Sequence, residues 1–104
     1  MDTPNFTRKG DELWISGSLM LPLDIKFDIE TGVLLQHAYE KGLMVVTIDA
    51  RGVTEMGSQY IGALAAVAAD MKKHGGSLTV RAKGKVAELL KQCGLHRLMS
   101  LELV

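Results

Sequence analysis

The sequence predicts an α/β fold: a mostly parallel sheet of four or five strands with an antiparallel edge hairpin, and helices packed on the sheet. Short β-branched apolar segments alternate with longer segments of helical periodicity, and glycines separate many of them. Strands that alternate with helices indicate parallel pairing through crossover connections. The length of 104 residues, without an evident linker or repeat, predicts a single domain over residues 1–104.

The first two predicted strands form the hairpin. Gly10-Asp11 separates NFTRK from LWISGSLM, and such a pair between two strands is typical of a tight turn. A helix is expected over about residues 23–41, where apolar side chains recur at helical spacing and Gly42 supplies a stop. Its apolar stripe is predicted to contain Ile25, Ile29, Val33, Leu34 and Ala38.

The next strand is expected at LMVVTID, residues 43–49. Its apolar run lacks alternation, which predicts burial on both faces. A loop from Arg51 to Met56 is expected to follow, and then a second helix over residues 58–74. The apolar stripe of that helix is predicted to contain Ile61, Leu64, Ala65, Ala68 and Met71.

The last part of the chain repeats the alternation. SLTVRAK, residues 77–83, predicts a core strand, and KVAELLKQCG predicts a third helix that Gly94 ends. LELV predicts a terminal strand or tail. Cys93 shares the apolar stripe of the third helix with Val86, Leu89 and Leu90, so we expect a buried thiol.

Composition excludes several classes of function. Twelve basic and twelve acidic side chains cancel, and aromatic residues make up 5% of the chain, which argues against a nucleic-acid partner. No apolar run approaches the ~20 residues of a membrane span. One cysteine and a polar N-terminal segment favour a cytoplasmic protein. A net charge of zero does little to oppose self-association, so a weak homodimer is conceivable.

No catalytic or cofactor signature is present in the sequence. His37, His74 and His96 are scattered, and no second thiol accompanies Cys93, so no metal site is expected. Phosphate-loop and dinucleotide-binding patterns are missing, so no cofactor is predicted. Asp49 and the loop carboxylate Glu55 could form an acidic pair, but acids before a helix are more often partners of its N-terminus. We therefore predict a protein that is not an enzyme.

Ser58, at the expected start of the second helix, has two interpretations. Serine is a common N-cap, where its hydroxyl accepts a hydrogen bond from the first turn. Alternatively, Ser58 could accept a phosphate, which would meet the free N–H groups of the helix end and repel a bound partner. Among the methionines, Met44 and Met71 are predicted to lie in the core, and Met56 is predicted to contact a partner.

The segments TIDARGVTEMGSQYIGAL and KKHGGSLTVRAKGKVAELLKQCGLHRLMSLE resemble the STAS domain. Bacterial anti-sigma factor antagonists and the cytosolic tails of sulfate transporters share this domain, and the resemblance covers about residues 4–104. The matching positions are Asp49, Gly52-Val53-Thr54, Ile61-Gly62, Gly75-Gly76 and Gly94-Leu95.

The resemblance implies a switchable binding module. Antagonists of this kind bind an anti-sigma factor that is also a serine kinase. The kinase phosphorylates the antagonist at the start of this helix, and the complex dissociates. A phosphatase then removes the phosphate, so that the antagonist can bind again. The family pattern there is Asp-Ser-Ser-Gly, and this chain has Gly57, Ser58, Gln59 and Tyr60. The acid and the usual acceptor are thus replaced, Ser58 keeps the first hydroxyl, and Tyr60 is expected to change the surface that a kinase would contact.

We therefore predict an anti-sigma factor antagonist that acts by partner switching, with Ser58 as the candidate phosphorylation site. The predicted partner-binding residues are Arg51, Thr54, Glu55, Met56, Gly57, Ser58, Gln59, Tyr60 and Ala63. One alternative is a constitutive subunit, similar to STAS proteins bound to the ATPase of a lipid-transport ABC complex. Another is a module that senses a small ligand or nucleotide through a concave site at the loop.

Overall fold

The sheet of this protein has five strands in the order β1-β2-β3-β4-β5 over residues 3–20 and 22–103, which the computed structural model describes. The strands are β1 (Asn5–Lys9), β2 (Glu12–Leu19), β3 (Val45–Met56), β4 (Ser77–Ala82) and β5 (Ser100–Leu103). The helices are α1 (Ile25–Lys41), α2 (Ser58–Lys73) and α3 (Gly84–Gln92), followed by a 3₁₀ turn over Leu95–Arg97. β1 and β2 are antiparallel, and the other neighbours are parallel. The predicted fold class is confirmed.

One face of the sheet, the inner face, carries the hydrophobic core. Its buried strand residues alternate along the chain and are Leu13, Ile15, Val46, Ile48, Leu78, Val80 and Ala82. The three helices contribute side chains to the same core. The neighbouring positions Val45 and Thr47 remain partly exposed, because successive side chains of a strand point to opposite faces. The prediction that residues 43–49 are covered on both faces is therefore wrong.

The opposite face, the outer face, has a polar row that crosses all five strands. Cross-strand pairing aligns the members of this row, which are Thr7, Trp14, Asp49, Arg81 and Glu102. Because this face carries charged side chains, the apolar run of β3 ends after Ile48, and the charged residue Asp49 follows.

Helix α1 buries a stripe that matches the predicted one only in part: Leu34 and Ala38 are buried as predicted. Ile25 is 71% exposed, and Ile29 and Val33 are also exposed. The buried residues are Phe27, Thr31, Leu34, Leu35 and Ala38. The physical reason is the ring of Phe27, which packs edge-on against Phe6 and Tyr60 at centroid distances of 6.3 and 5.5 Å. An aromatic side chain buries more apolar area than an isoleucine does, so its position decides the rotation of the helix.

Strand β3 continues through the segment that was expected to be a loop. It extends past Asp49 to Met56, because its second half pairs with β2 at Ser16↔Gly52 and Leu19↔Met56. Two register shifts between β2 and β3, each with one extra residue on β3, accommodate this pairing. Residues 51–56 are thus strand residues, and the expected loop is reduced to Gly57.

The other helices begin and end close to the predicted residues. In α2, the predicted Leu64, Ala68 and Met71 are buried, whereas Ile61 and Ala65 are half-buried. Gly42 and Gly94 have the left-handed backbone of helix ends, with φ of 68° and 76°. None of the described helices combines the length and apolar content needed to cross a bilayer.

Two further predictions of burial, those of Cys93 and Met44, are wrong. Cys93 is exposed, because α3 ends at Gln92 and the cysteine forms its C-terminal cap, where its side chain leaves the apolar stripe. Met44 is also exposed, because it precedes β3 and lies outside the sheet.

Candidate functional site

Helix α2 begins directly after β3, with only Gly57 between them. The N–H of Gly57 donates to the carbonyl oxygen of Leu19 at 2.9 Å, which ties this turn to the end of β2. The carbonyl oxygen of Gly57 then accepts from the N–H groups of Tyr60 and Ile61, both at 3.2 Å. Gly57 is therefore the N-cap of α2, and Ser58 is the first helical residue.

Ser58 does not act as the cap that its residue type suggested. No side-chain hydrogen bond caps α2, and its first turn contains no acidic residue. The Ser58 side chain is exposed at the helix end. Since the first N–H groups of a helix lack intrahelical partners, an exposed hydroxyl lies beside unsatisfied backbone donors.

The two acids expected to serve this helix end are engaged elsewhere. The Glu55 carboxylate accepts a hydrogen bond from the Ser18 hydroxyl at 2.9 Å. Asp49 lies within β3 on the outer face, only 2% exposed, and pairs with arginines. Neither a carboxylate pair at the start of α2 nor an acidic cap is present among the described residues.

Gln59 and Tyr60 hold the beginning of α1 against the beginning of α2. The Gln59 side-chain oxygen accepts from the N–H of Leu23, and the Tyr60 hydroxyl accepts from the N–H of Asp24, both at 2.8 Å. Asp24 in turn caps α1 by accepting from the N–H of Lys26 at 2.8 Å. Leu23 and Asp24 were not predicted as site residues, because no local sequence pattern indicates a contact 36 residues away.

Tyr60 is 1% exposed, so the expectation that its ring alters a contact surface is wrong. Its ring packs perpendicular to that of Phe27, and its hydroxyl reaches the backbone of the α1 cap. Met56 is also buried, contrary to its predicted role as a partner contact, because it lies at the end of β3 where it faces the core.

The remaining predicted partner residues divide among three places. Thr54 and Glu55 are exposed on a cleft of about 220 Å³, which they share with Met20, Met56, Lys85, Val86 and Leu89. Ala63 is half-buried and lines a separate groove of about 400 Å³ between α1 and α2. Arg51 points to Asp49 on the outer face. We use the name β3–α2 surface for Met20, Thr54, Glu55, Ser58 and Gln59, the exposed side chains around the turn at Gly57.

Asp49 is the centre of an ionic network on the outer face. Its two oxygens accept from Nε and Nη2 of Arg51 at 2.7 to 3.1 Å and from Nη1 of Arg81 at 3.3 Å. Arg81 also donates to Glu12 and Glu102. Burial alone raises the pKa of Asp49, but the hydrogen bonds from Arg51 and Arg81 outweigh burial and hold the pKa below its ordinary value.

The β3–α2 surface combines polar side chains with a shallow cleft. The described residues contain no cluster of three or more histidine, cysteine or acidic side chains that could hold a metal ion. What the surface around the turn at Gly57 presents is two exposed hydroxyl groups, of Thr54 and Ser58, one exposed carboxylate, of Glu55, and a shallow, partly apolar cleft.

Comparison with known proteins gives one family. A family model described as "Mlab, STAS domain" matches residues 7–103. The search of curated proteins finds no match. The match spans nearly the whole chain and agrees with the order of strands and helices described above. The chain therefore belongs to the STAS domain family.

Proposed function

We propose that this protein is a non-enzymatic regulatory module that binds a protein partner at the β3–α2 surface. The single observation that carries the proposal is the position of Ser58: an exposed hydroxyl on the first residue of α2, with no capping role. The neighbouring Gln59 and Tyr60 side chains are used to hold α1, so within the first turn of α2 it is the Ser58 hydroxyl that is left for another function.

The proposed partner is an anti-sigma factor with serine kinase activity. The two proteins would form a cytoplasmic partner-switching circuit, in which a phosphatase removes the phosphate again. A phosphate on Ser58 would lie beside the free N–H groups and positive dipole end of α2. It would also add about −1.5 to −2 charges beside the exposed Glu55 carboxylate. A partner that fits the unmodified surface would then meet added negative charge and added volume, and the complex would dissociate.

The test combines phosphate mapping with binding. The protein is incubated with its cognate kinase and ATP, and the modified residue is located by mass spectrometry, with Ser58→Ala as the test variant. Ser100→Ala serves as the control, because Ser100 is an exposed serine on β5. We expect modification of the parent protein and of Ser100→Ala, and none of Ser58→Ala. Phosphate on any other residue would overturn the switch.

Binding of the partner gives a second test. We expect Ser58→Ala to bind the partner with the same dissociation constant as the unmodified parent protein. We expect the dissociation constant of Ser58→Glu to be at least about ten-fold higher, a change of about 1.4 kcal/mol in binding free energy. Equal dissociation constants for the two variants would contradict control by charge at this position.

A second candidate function is a constitutive subunit on the ATPase of a lipid-transport ABC complex. The observation that favours it is Gln59, which occupies the family's usual acceptor position and bonds to the backbone of Leu23. A permanent interface requires no acceptor there. In this case Ser58→Glu and the parent protein would both co-purify with the ATPase subunit, and the kinase would leave Ser58 unmodified.

A further inference from the structure

The outer face of the sheet carries a concavity of about 490 Å³ that the proposed partner surface does not use. It shares no lining residue with the cleft of about 220 Å³ at Thr54 and Glu55. The side chains that matter for its chemistry are Lys9, Trp14, Ser16, Asp49, Arg51 and Lys83. A volume of several hundred Å³ is typical of sites that bind small molecules.

The concavity has an excess of positive charge. Lys9, Arg51 and Lys83 line it, whereas Asp49 is the one acidic side chain in its described lining. Asp49 is 2% exposed; its Oδ1 already accepts a hydrogen bond from Arg51, and its Oδ2 accepts from Arg51 and Arg81. Within residues 3–20 and 22–103, Lys9 and Lys83 form no ion pair. An anion in the concavity would therefore meet uncompensated cations.

Trp14 holds two of these cations beside the concavity. The Lys9 ammonium lies 4.0 Å from the centroid of the Trp14 ring, and the Arg51 guanidinium carbon lies 5.5 Å from it. Both distances are within the range of cation–π attraction. The indole N–H donates to Glu12 at 2.9 Å, which fixes the ring on the outer face.

The shape of the concavity depends on the irregular pairing of β2 and β3. The register shifts between Trp14 and Ser16, opposite Gly52. A Cβ on Gly52 would lie 2.8 Å from the Cβ of Ser16, so a side chain there would collide with the other wall. Glycine keeps the two strands close and leaves the backbone and the Ser16 hydroxyl accessible.

We infer that this concavity binds a small molecule that carries a phosphate group. Lys9 and Lys83, which form no ion pair among the described residues, supply the countercharge for a dianion. Asp49 engages Nε and Nη2 of Arg51, so Nη1 of that guanidinium is left to donate to a phosphate oxygen. The Ser16 and Thr7 hydroxyl groups lie in the lining as hydrogen-bond donors to the same group. The ligand is either free phosphate or an organic phosphate, and both share this chemistry.

The only tryptophan of the chain, Trp14, reports binding by its fluorescence. The full chain is titrated with inorganic phosphate, ribose 5-phosphate and adenosine monophosphate at an ionic strength held constant with chloride. We expect saturable quenching by at least one probe. Similar affinities for all three would identify phosphate itself as the ligand, and at least ten-fold tighter binding of one organic probe would identify an organic phosphate.

The variant Lys9→Gln/Lys83→Gln should raise Kd at least ten-fold. Lys91→Gln is the matched control, because Lys91 is an exposed lysine on α3 outside the lining, and its Kd should not change. Lys9 contacts the indole, so its replacement could change the fluorescence directly. Isothermal titration calorimetry of the single variant Lys83→Gln avoids this problem and does not depend on the folding of the double variant. We expect Lys83→Gln to bind at least three-fold more weakly than the parent protein. Absence of saturable binding for all three probes, or equal Kd for Lys83→Gln and Lys91→Gln, would overturn the inference.

Discussion

Tyr39 and Tyr60 are the two tyrosines of the chain, and their hydroxyl groups have opposite environments. The Tyr60 hydroxyl accepts from the N–H of Asp24 at 2.8 Å. The Tyr39 hydroxyl is buried without a hydrogen-bond partner among the described residues, while its ring stacks on His74 at 3.8 Å. Burial, and then the nearby Asp70 carboxylate, raise the pKa of Tyr39. The phenolic hydroxyl thus accepts a hydrogen bond at Tyr60 and makes none at Tyr39 among the described residues.

Removal of each hydroxyl should therefore have different effects. Tyr60→Phe should lower the free energy of unfolding by about 1 kcal/mol, because the N–H of Asp24 loses its acceptor. Tyr39→Phe should leave stability unchanged or raise it by up to about 1 kcal/mol, because no bond is lost. Urea denaturation of the two variants measures both values. A larger loss for Tyr39→Phe than for Tyr60→Phe would contradict this assignment.

At the scale of elements, the N-cap of α2 is Gly57, whose backbone suits a capping residue but which has no side chain to accept a hydrogen bond from the first turn. Gly57 has φ −93° and ψ 169°, an extended conformation that other residues adopt without strain. A Cβ at this position would lie 3.4 Å from the carbonyl oxygen of Leu19, which is an ordinary contact. The aspartate of the pattern that this segment resembles would stand at this N-cap position, where an acid stabilises a helix, and this chain has glycine there.

Gly57→Asp should raise the free energy of unfolding by about 0.5–1 kcal/mol, through a new cap and reduced freedom of the unfolded chain. Ser58→Ala should change it by less than about 0.5 kcal/mol, because Ser58 makes no capping bond. Thermal denaturation followed by circular dichroism measures both changes. A loss of about 1 kcal/mol for Ser58→Ala would show that the N-cap of α2 is Ser58, where we assign Gly57.

At the scale of the whole molecule, the network around Asp49 connects four of the strands. Asp49 and Arg51 belong to β3, Glu12 to β2, Arg81 to β4 and Glu102 to β5. The lowered pKa of Asp49 means that the folded protein binds its proton less readily than the unfolded chain does. The resulting stabilisation is fully present above the ordinary aspartate pKa of about 3.9, and it is lost as the pH falls toward the folded pKa.

Asp49→Asn should lower the free energy of unfolding by about 1–3 kcal/mol near neutral pH, because Arg51 and Arg81 lose a buried ionised acceptor. It should also flatten the decline in stability below about pH 4. Glu102→Gln is the control, since this carboxylate is half-exposed on the same network and its removal should change stability by less than about 1 kcal/mol. Denaturant titrations across the acid range measure both. If the stability of Asp49→Asn declined with falling pH as steeply as that of the parent protein, Asp49 would be excluded as the source of the acid-dependent loss of stability.

Much of the architecture followed from local patterns. The hairpin turn at Gly10-Asp11, the helix ends at Gly42 and Gly94 and the alternation of strands with helices were all predicted. The candidate site was predicted less well. Ser58 was placed correctly at the start of α2, yet its cap role was wrong, and Met56 and Tyr60 proved to be buried.

What the sequence alone determined was the order and type of the elements, because hydrophobic periodicity and turn chemistry act over a few residues. Tertiary structure decided which side chains are accessible. Pairing with β2 extended β3 to Met56, and packing of Phe27 against Phe6 and Tyr60 rotated α1. Pairing of the strands also brought Lys9, Arg51 and Lys83 to one concavity. These outcomes depend on contacts between residues far apart in the chain, which no local pattern specifies.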